Sequence, residues 1–379
     1  MHFDLSEERQ MLADTTNRFI ADRYDIKVRH ANAKLDDGFN RETWAEFADL
    51  GLIGALLPAD VGGFGGTGED IAVIFESLGR GLVVEPFLAT GILGAAPIVE
   101  AGSAAQKAML EDVIAGTTLL ALAHGEPDSR YEMASVKTRA RKTGDGWQIT
   151  GNKAVVLNGD TANKLVVSAR TSGEDTSEAG ISLFLVDATA AGITRRGYSN
   201  VDGGRAAEIM LDNVSVGADA LIGSEGDGHA ILEATYAKGV VALAAESVGA
   251  LEVSRDITLE YMKTRKQFGK AIGSFQALQH RMVDVCIEIE QARSAVLLVV
   301  STLDEDRHTR ELNVSAAKNL IGRINRLVAE EVIQLHGGMA MTWEYAAGHY
   351  SKRLTMIDHQ LGDTDYHLQR YVDLAAEVA

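Results

Sequence analysis

The sequence predicts an α+β protein with segregated parts: an N-terminal helical domain over 1–118, a middle antiparallel β barrel or sandwich over 119–225, and a C-terminal helical bundle over 226–379. Three observations predict it. Apolar residues recur at helical spacing up to about Gly116, short strand-like runs fill Leu119 to Gly223, and helical periodicity returns from Ala230. A dinucleotide-binding doubly wound fold needs alternating β and α units, so segregation excludes it.

The first block pairs Met11 and Leu12 with Phe19 and Ile20, then Trp44 and Phe47 with Leu50 and Leu57. Its interruption, Pro58 to Gly68, holds too many glycines for a helix and is a loop, read either as a phosphate cradle or as a plain connector. In the middle block, Gly146–Thr150, Leu165–Ser168 and Ile181–Val186 are strands separated by Gly, Asn and Asp. The last block predicts helices over about 230–263, 275–303, 311–336 and 344–357, with breaks at Phe268-Gly269, near Arg307 and at Gly337-Gly338.

With 46% hydrophobic residues, 24% charged residues and 4 prolines among 379, the composition is that of a globular protein. A formal net charge of −18 excludes nucleic acid as a partner, which would require a concentrated cationic footprint. No apolar run reaches the roughly 20 residues of a bilayer span, so no membrane insertion is expected. The start, with Ser6, Glu7, Glu8 and Arg9, lacks a signal peptide's pattern. The single cysteine, Cys286, sits among Val283, Val285 and Ile287 and is expected to be a buried structural thiol; cytoplasmic residence follows. The ten histidines lack zinc spacing, and no metal is expected.

Two segments carry candidate chemistry. In Thr264 to Gln276 a helix is expected to stop at Gly269 with Arg265 and Lys266 in its last turn. That arrangement offers a pyrophosphate a planar donor fork and a point charge, or else simply neutralises the helix end. In Gln334 to Met339 a helix ends on Gly337-Gly338, where absent side chains let backbone N–H groups approach a ligand, or merely cap the helix.

Together the segments resemble the acyl-CoA dehydrogenase family. The pattern is Tyr261-x-x-x-Arg265-x-Gln267-Phe268-Gly269, then Ile272, then Phe275-Gln276, and later Gln334-x-x-Gly337-Gly338. Further matches span nearly the whole chain, among them Leu50-Gly51-Leu52, Glu76-x-Leu78-Gly79-Arg80, Gly151-x-Lys153, Leu211-Asp212-Asn213 and Ala316-Ala317-Lys318. The resemblance implies the acyl-CoA dehydrogenase fold with FAD across a subunit interface, in a homo- or heterotetramer built as a dimer of dimers. Arg265, Gln267, Phe268, Gln276, Gln334, Gly337, Gly338 and Thr364 would serve FAD, as would Glu126, Ser129 and Leu157 in the middle block. The implied reaction is α,β-dehydrogenation of an acyl-CoA, with electrons passed to an electron-transfer flavoprotein. The flavin accepts hydride, and the protein supplies position and a base.

Departures from the family pattern bear on mechanism. Gly125-Glu126-Pro127-Asp128-Ser129-Arg130 is a shortened version of the flavin-edge segment, and Leu157 replaces a threonine that hydrogen-bonds the flavin. One base position of the family falls on Gly362, in Leu361-Gly362-Asp363-Thr364-Asp365; the other falls on Gly239, followed by Val240. Three readings follow. Asp363 is the base; or Glu246 is, two turns along the helix from Gly239; or this subunit leaves catalysis to a related partner chain, as in divergent branches that process steroid side chains. A flavin monooxygenase or oxidase on the same fold is the alternative from another class.

Overall fold

The computed structural model describes residues 5–377. The first block holds α1 (Glu7–Arg23), α2 (Ile26–Asn32), α3 (Arg41–Asp49), α4 (Gly68–Gly81), a π-helical stretch Phe87–Gly94, α5 (Ala96–Ala101), α6 (Ala104–Ala108) and α7 (Leu110–Ile114). The middle block holds β1 (Leu120–Ala123), β2 (Arg139–Thr143), β3 (Gly146–Leu157), β4 (Lys164–Arg170), β5 (Ile181–Asp187), β6 (Ile193–Ser199), β7 (Arg205–Gly217) and β8 (Leu221–Ile222). The last block holds α8 (Gly228–Thr264), the hairpin of β9 (Lys266–Gln267) and β10 (Lys270–Ala271), α9 (Gln276–Ser301), α10 (Arg307–His336), α11 (Ala347–Asp358) and α12 (Thr364–Ala376). This is the predicted helix, sheet, helix order. In space the chain forms two compact units that interleave in sequence: Met1–His30 with Gly68–Val83 and Val240–Ala379, and Ala31–Thr67 with Val84–Gly239.

In the first unit α10 packs against α9, α11 and α12, and α1 packs against α4. Side-chain oxygens start these helices: Ser6 accepts from the Arg9 N–H, and Asp306 from His308 and Thr309. α4 and α8 meet at glycines. A Cβ on Gly79 would lie 2.1 Å from the Glu246 carbonyl oxygen, and one on Gly249 1.9 Å from that of Glu76. Beside this contact Arg80 and Arg293 each pair with both Glu76 and Glu252, so four charges bind three helices.

The second unit is built on one sheet in the order β6-β7-β3-β2-β4-β5-β8, with β1 added alongside β4. Trp147 of β3 and Phe184 of β5 are not sheet neighbours, yet their rings lie 5.3 Å apart, because the sheet curls around its core. Pairing is mainly antiparallel as predicted, but β1 runs parallel to β4 and β2 meets β4 in parallel at Arg139. Outside the sheet, Phe87 receives the edges of Trp44 and Phe47 at 5.0 and 5.2 Å. Such pairs add about 1 kcal/mol each beyond the area they bury.

Four local expectations are corrected. α8 ends at Thr264, so Arg265 and Lys266 lie beyond the helix and Lys266 opens a hairpin. α12 was hidden in a polar stretch after Gly362. Cys286 is half-exposed, with Val283 and Ile287 more than half exposed beside it. The glycine loop is no phosphate cradle: the N–H groups of Gly62, Gly63, Phe64, Gly65 and Gly66 donate to carbonyls of Ala59, Pro58, Gly54, Leu57 and Ala55.

Candidate functional site

The end of α8 and the end of α10 come together through three rings. Tyr261, in the last turn of α8, lies 4.6 Å from His336, and Tyr345 lies 5.1 Å from His336 and 6.2 Å from Tyr261, so the three rings form one cluster. Arg265 and the double glycine, both picked out in sequence, are therefore held in one neighbourhood. After the Arg265 N–H closes on the Tyr261 carbonyl at 2.8 Å, the chain turns through Phe268 and Gly269, both left-handed at φ 54° and 81°. Two such residues in succession make the tight turn that suits a two-residue hairpin. The turn lifts Phe268 until its ring is 91% exposed.

Around it Arg265, Lys266, Gln267, Gln276 and Gln334 are exposed, and among the described residues their side chains make no hydrogen bond or ion pair. A Cβ on Gly337 or Gly338 would meet nothing within 4 Å. Two cations, three amides, an open glycine turn and a bare aromatic ring form a donor set suited to a nucleotide diphosphate and its base.

The candidate bases fare differently. Glu246 is buried, and both its oxygens are held by Arg353, with Nε at 2.5 Å and Nη2 at 2.6 Å. In the structure this candidate base is held in a buried ion pair. Asp363 is the N-cap of α12, where Oδ1 accepts the Tyr366 N–H at 2.8 Å. One oxygen of this candidate base is thus occupied by the helix start. Thr364 is engaged locally too: its N–H and Oγ1 both donate to Asp358 Oδ1, at 3.1 and 2.8 Å, which leaves the hydroxyl oxygen as an acceptor.

Between them Gly362 stands at φ 103°, and a Cβ there would lie 2.5 Å from His367 Nε2 and 2.6 Å from Tyr366. A side chain at position 362 would have to displace His367 or Tyr366 and would strain the backbone. The loop is locked by residues the sequence reading gave no role. Lys318, fully buried, donates to the carbonyls of Asp358 at 3.0 Å and Gly362 at 2.6 Å, while His367 Nε2 reaches the Leu361 carbonyl at 2.9 Å. Burial lowers the Lys318 ammonium to about 8 and the His367 imidazole to about 3. Asp363-x-x-Tyr366 carried a local capping signal; the Lys318 contacts, which span 40 and 44 residues of sequence, carried none.

In the second unit Glu126 is buried, and its carboxylate accepts from the Lys137 and Thr138 N–H groups and from Lys153 Nζ at 2.7 Å. Burial pushes the Glu126 carboxyl up, and Lys153 with these donors outweighs it, holding the group below its ordinary value. Lys153 itself is lowered to about 8 by burial and also donates to Ser168 and the His124 carbonyl. Ser129 Oγ accepts from the Glu126 N–H and donates to the Glu126 carbonyl. The Glu126 and Ser129 side chains brace their own loop. Leu157 ends β3 half-buried, just past a bulge at which Val155 takes a left-handed φ of 53°. A β-branched residue there marks local strain.

Comparison with known proteins accounts for this geometry. Residues 6–117, 121–214 and 226–371 match in turn the N-terminal, middle and C-terminal domains of acyl-CoA dehydrogenase. The chain belongs to the acyl-CoA dehydrogenase family. It is 33% identical, over 88% of its length and 89% of the relative's, to a cyclohex-1-ene-1-carbonyl-CoA dehydrogenase of Geobacter metallireducens. Among solved structures it is similar to a variant of the Tcur3481-Tcur3483 steroid ACAD, at 30% identity and TM-score 0.89 with 98% of each chain covered. It is also similar to the ChsE4-ChsE5 complex from Mycobacterium tuberculosis, at 25% identity and TM-score 0.89, covering 100% of this chain and 99% of that one. A third is the FAD complex of PigA, at 25% identity and TM-score 0.91 with both chains fully covered. As an acyl-CoA dehydrogenase the chain is an oxidoreductase acting on acyl-CoA, and FAD is its cofactor; the donor set around Arg265 and Gly337-Gly338 fits FAD. Among the described residues no helix is long and apolar enough to cross a membrane, and no group of three His, Cys, Asp or Glu could hold a metal ion.

Proposed function

We propose that this chain is the base-deficient subunit of a heteromeric acyl-CoA dehydrogenase, and that a second chain of the family supplies the carboxylate that takes the α-proton. The observation that carries this reading is Gly362, whose side-chain space is already filled by His367 and Tyr366. Glu246 bound to Arg353 and Asp363 bound to the start of α12 support it from either side. FAD, when bound, supplies the acceptor for the hydride leaving the acyl β-carbon.

This chain's share is binding and positioning. Arg265 and Lys266 bring positive charge to the diphosphate, Gln267, Gln276 and Gln334 offer amide hydrogen bonds, and Phe268 offers a ring face to the adenine. Gly337 and Gly338 leave room for the backbone to approach. Lys318 holds the Asp358–Thr364 loop to the middle of α10. A bulky, ring-bearing acyl group is the proposed substrate, electron-transfer flavoprotein the electron acceptor, an α2β2 tetramer the assembly and the cytoplasm the compartment. The likeness to a steroid enzyme supports the substrate class, and the likeness to a two-chain complex supports the assembly.

The test is anaerobic titration with an acyl-CoA of the chain alone and of the chain co-purified with the product of the adjacent gene. Flavin bleaching only in the two-chain complex is expected, with its intact mass reporting the stoichiometry. Full-rate bleaching by the chain alone would overturn the proposal, and rapid reoxidation by air would point instead to an oxidase.

A further inference from the structure

Four segments of the second unit meet at one buried ammonium. Lys153 of β3 is fully buried, and its three donors match three acceptors: Glu126 Oε1 at 2.7 Å, the His124 carbonyl at 3.1 Å and Ser168 Oγ of β4 at 3.1 Å. Glu126 Oε1 and Oε2 also accept the Thr138 and Lys137 N–H groups, at 3.0 and 2.8 Å, so the carboxylate ties in the segment that enters β2. One residue beyond Lys153, the Ala154 N–H donates to the Gly125 carbonyl at 2.8 Å. His124, Gly125 and Glu126 are thereby each fixed to β3. In stability alone a buried ion pair seldom outdoes apolar side chains of the same volume, so what this pair adds is a defined geometry.

What that geometry presents is backbone. Gly125 and Leu157 carry no hydroxyl, and the Glu126 and Ser129 side chains are spent within their loop. The half-buried Gly125 N–H, by contrast, has no hydrogen-bond partner among the described residues. A buried backbone donor is rarely left unpaired, and one so placed suits an acceptor on a ligand. Just after the lysine, β3 changes register between Lys153 and Val156. There Val155 is left-handed at φ 53°, its N–H donates to Glu208 Oε1 at 3.4 Å, and its side chain is 61% exposed. Backbone strain of this kind persists where the surroundings over-determine it, and it clusters at ligand sites. We propose that Lys153 is a positioning residue for FAD, and that in this chain the flavin meets lysine-held backbone, at Gly125 and at the Val155–Leu157 bulge, in place of side-chain hydroxyls. This rests on the reading of these two segments as flavin-facing. The ring carbonyls and nitrogens of a flavin are the acceptors that a lone N–H can serve.

The experiment compares wild type with Lys153→Met and with the double variant Lys153→Met/Glu126→Gln, in the full chain, with the companion chain present if FAD binding requires it. Flavin fluorescence reads affinity, the visible absorption band reads the surroundings of the ring, and the urea midpoint reads the fold. Lys153→Met should lower the midpoint, because it leaves Glu126 buried without its cation. The double variant removes both charges at nearly constant volume and should recover most of that loss. In both, FAD binding is expected to weaken about tenfold, the worth of one misplaced hydrogen-bond donor, and the absorption band to move from its wild-type position. Wild-type affinity or an unmoved band in the double variant overturns the proposal, since Lys153 then matters only to the fold. Where Lys153→Met does not fold, the double variant decides alone.

A wild-type chain that binds no FAD, with or without its companion, counts against the proposed function instead. Hydrogen exchange in the isolated chain then tests the positioning. In the double variant the Ala154 and Glu126 amides, bonded to the Gly125 carbonyl and to Ser129 Oγ, should exchange faster than in wild type, while Trp147 to Ile149 of the same strand keep their protection. Unchanged protection at Ala154 and Glu126 overturns the proposal.

Discussion

At Gly362 the backbone decides which residue the position can hold. Glycine alone tolerates φ 103° there, and the volume a side chain would need belongs to His367 and Tyr366. Gly362→Ala should cost about 1–3 kcal/mol in denaturant unfolding, from backbone strain together with the clash. Asp363→Asn separates capping from catalysis, since an amide oxygen caps as well as a carboxylate does. Melting temperature and turnover of the complex should stay near wild type, whereas Asp363→Ala should lose about 1 kcal/mol of stability. Abolished turnover in Asp363→Asn would instead make it the base. Glu246→Gln removes a buried charge paired with Arg353 and should cost about 3 kcal/mol in stability. The sequence exposed Glu246 as an oddity within an apolar run. It could not name Arg353, which lies 107 residues away and is matched by geometry alone.

Elements were legible wherever period and punctuation agreed. α9 and α10 fell close to their expected limits because apolar spacing ran up to a polar break. α8 was placed to within a few residues, but the β9–β10 hairpin was read as helix because Lys, Gln and Arg are all good helix formers. Turn geometry through Phe268 and Gly269 overrode that preference. α12 escaped because only His367 and Leu374 of its residues are buried, leaving no apolar stripe to see. The α4–α8 contact shows how glycine can act as an interface residue rather than a breaker. Gly249→Ala should push the helices apart and cost about 2 kcal/mol or more, seen as a lowered midpoint in urea without a change in slope.

Across the whole molecule the sequence revealed the order of helical and β blocks but not their interleaving into two units, since that depends on pairings between distant residues. The flavin-side residues were legible because their segments resemble a family pattern. The local hydrogen bonds and ion pairs of Glu126, Ser129, Thr364 and Glu246 appear only in three dimensions. Two buried histidines, His124 and His367, are lowered by burial to about 3, so both stay neutral in the fold. Their contribution is complete above the ordinary value of 6.5 and declines as the pH falls toward 3, at about 1.4 kcal/mol per pH unit for each ring. Denaturation followed from pH 7 downward should be less steep in His367→Asn than in wild type.

The Pro58–Gly68 loop has a consequence of a different kind. Its glycine content suggests a slack tether, yet its amide hydrogens are spent on carbonyls of the same stretch and of the turn before it. In deuterium exchange Gly62 to Gly66 should retain their protons like a folded element, and limited digestion should pass them by.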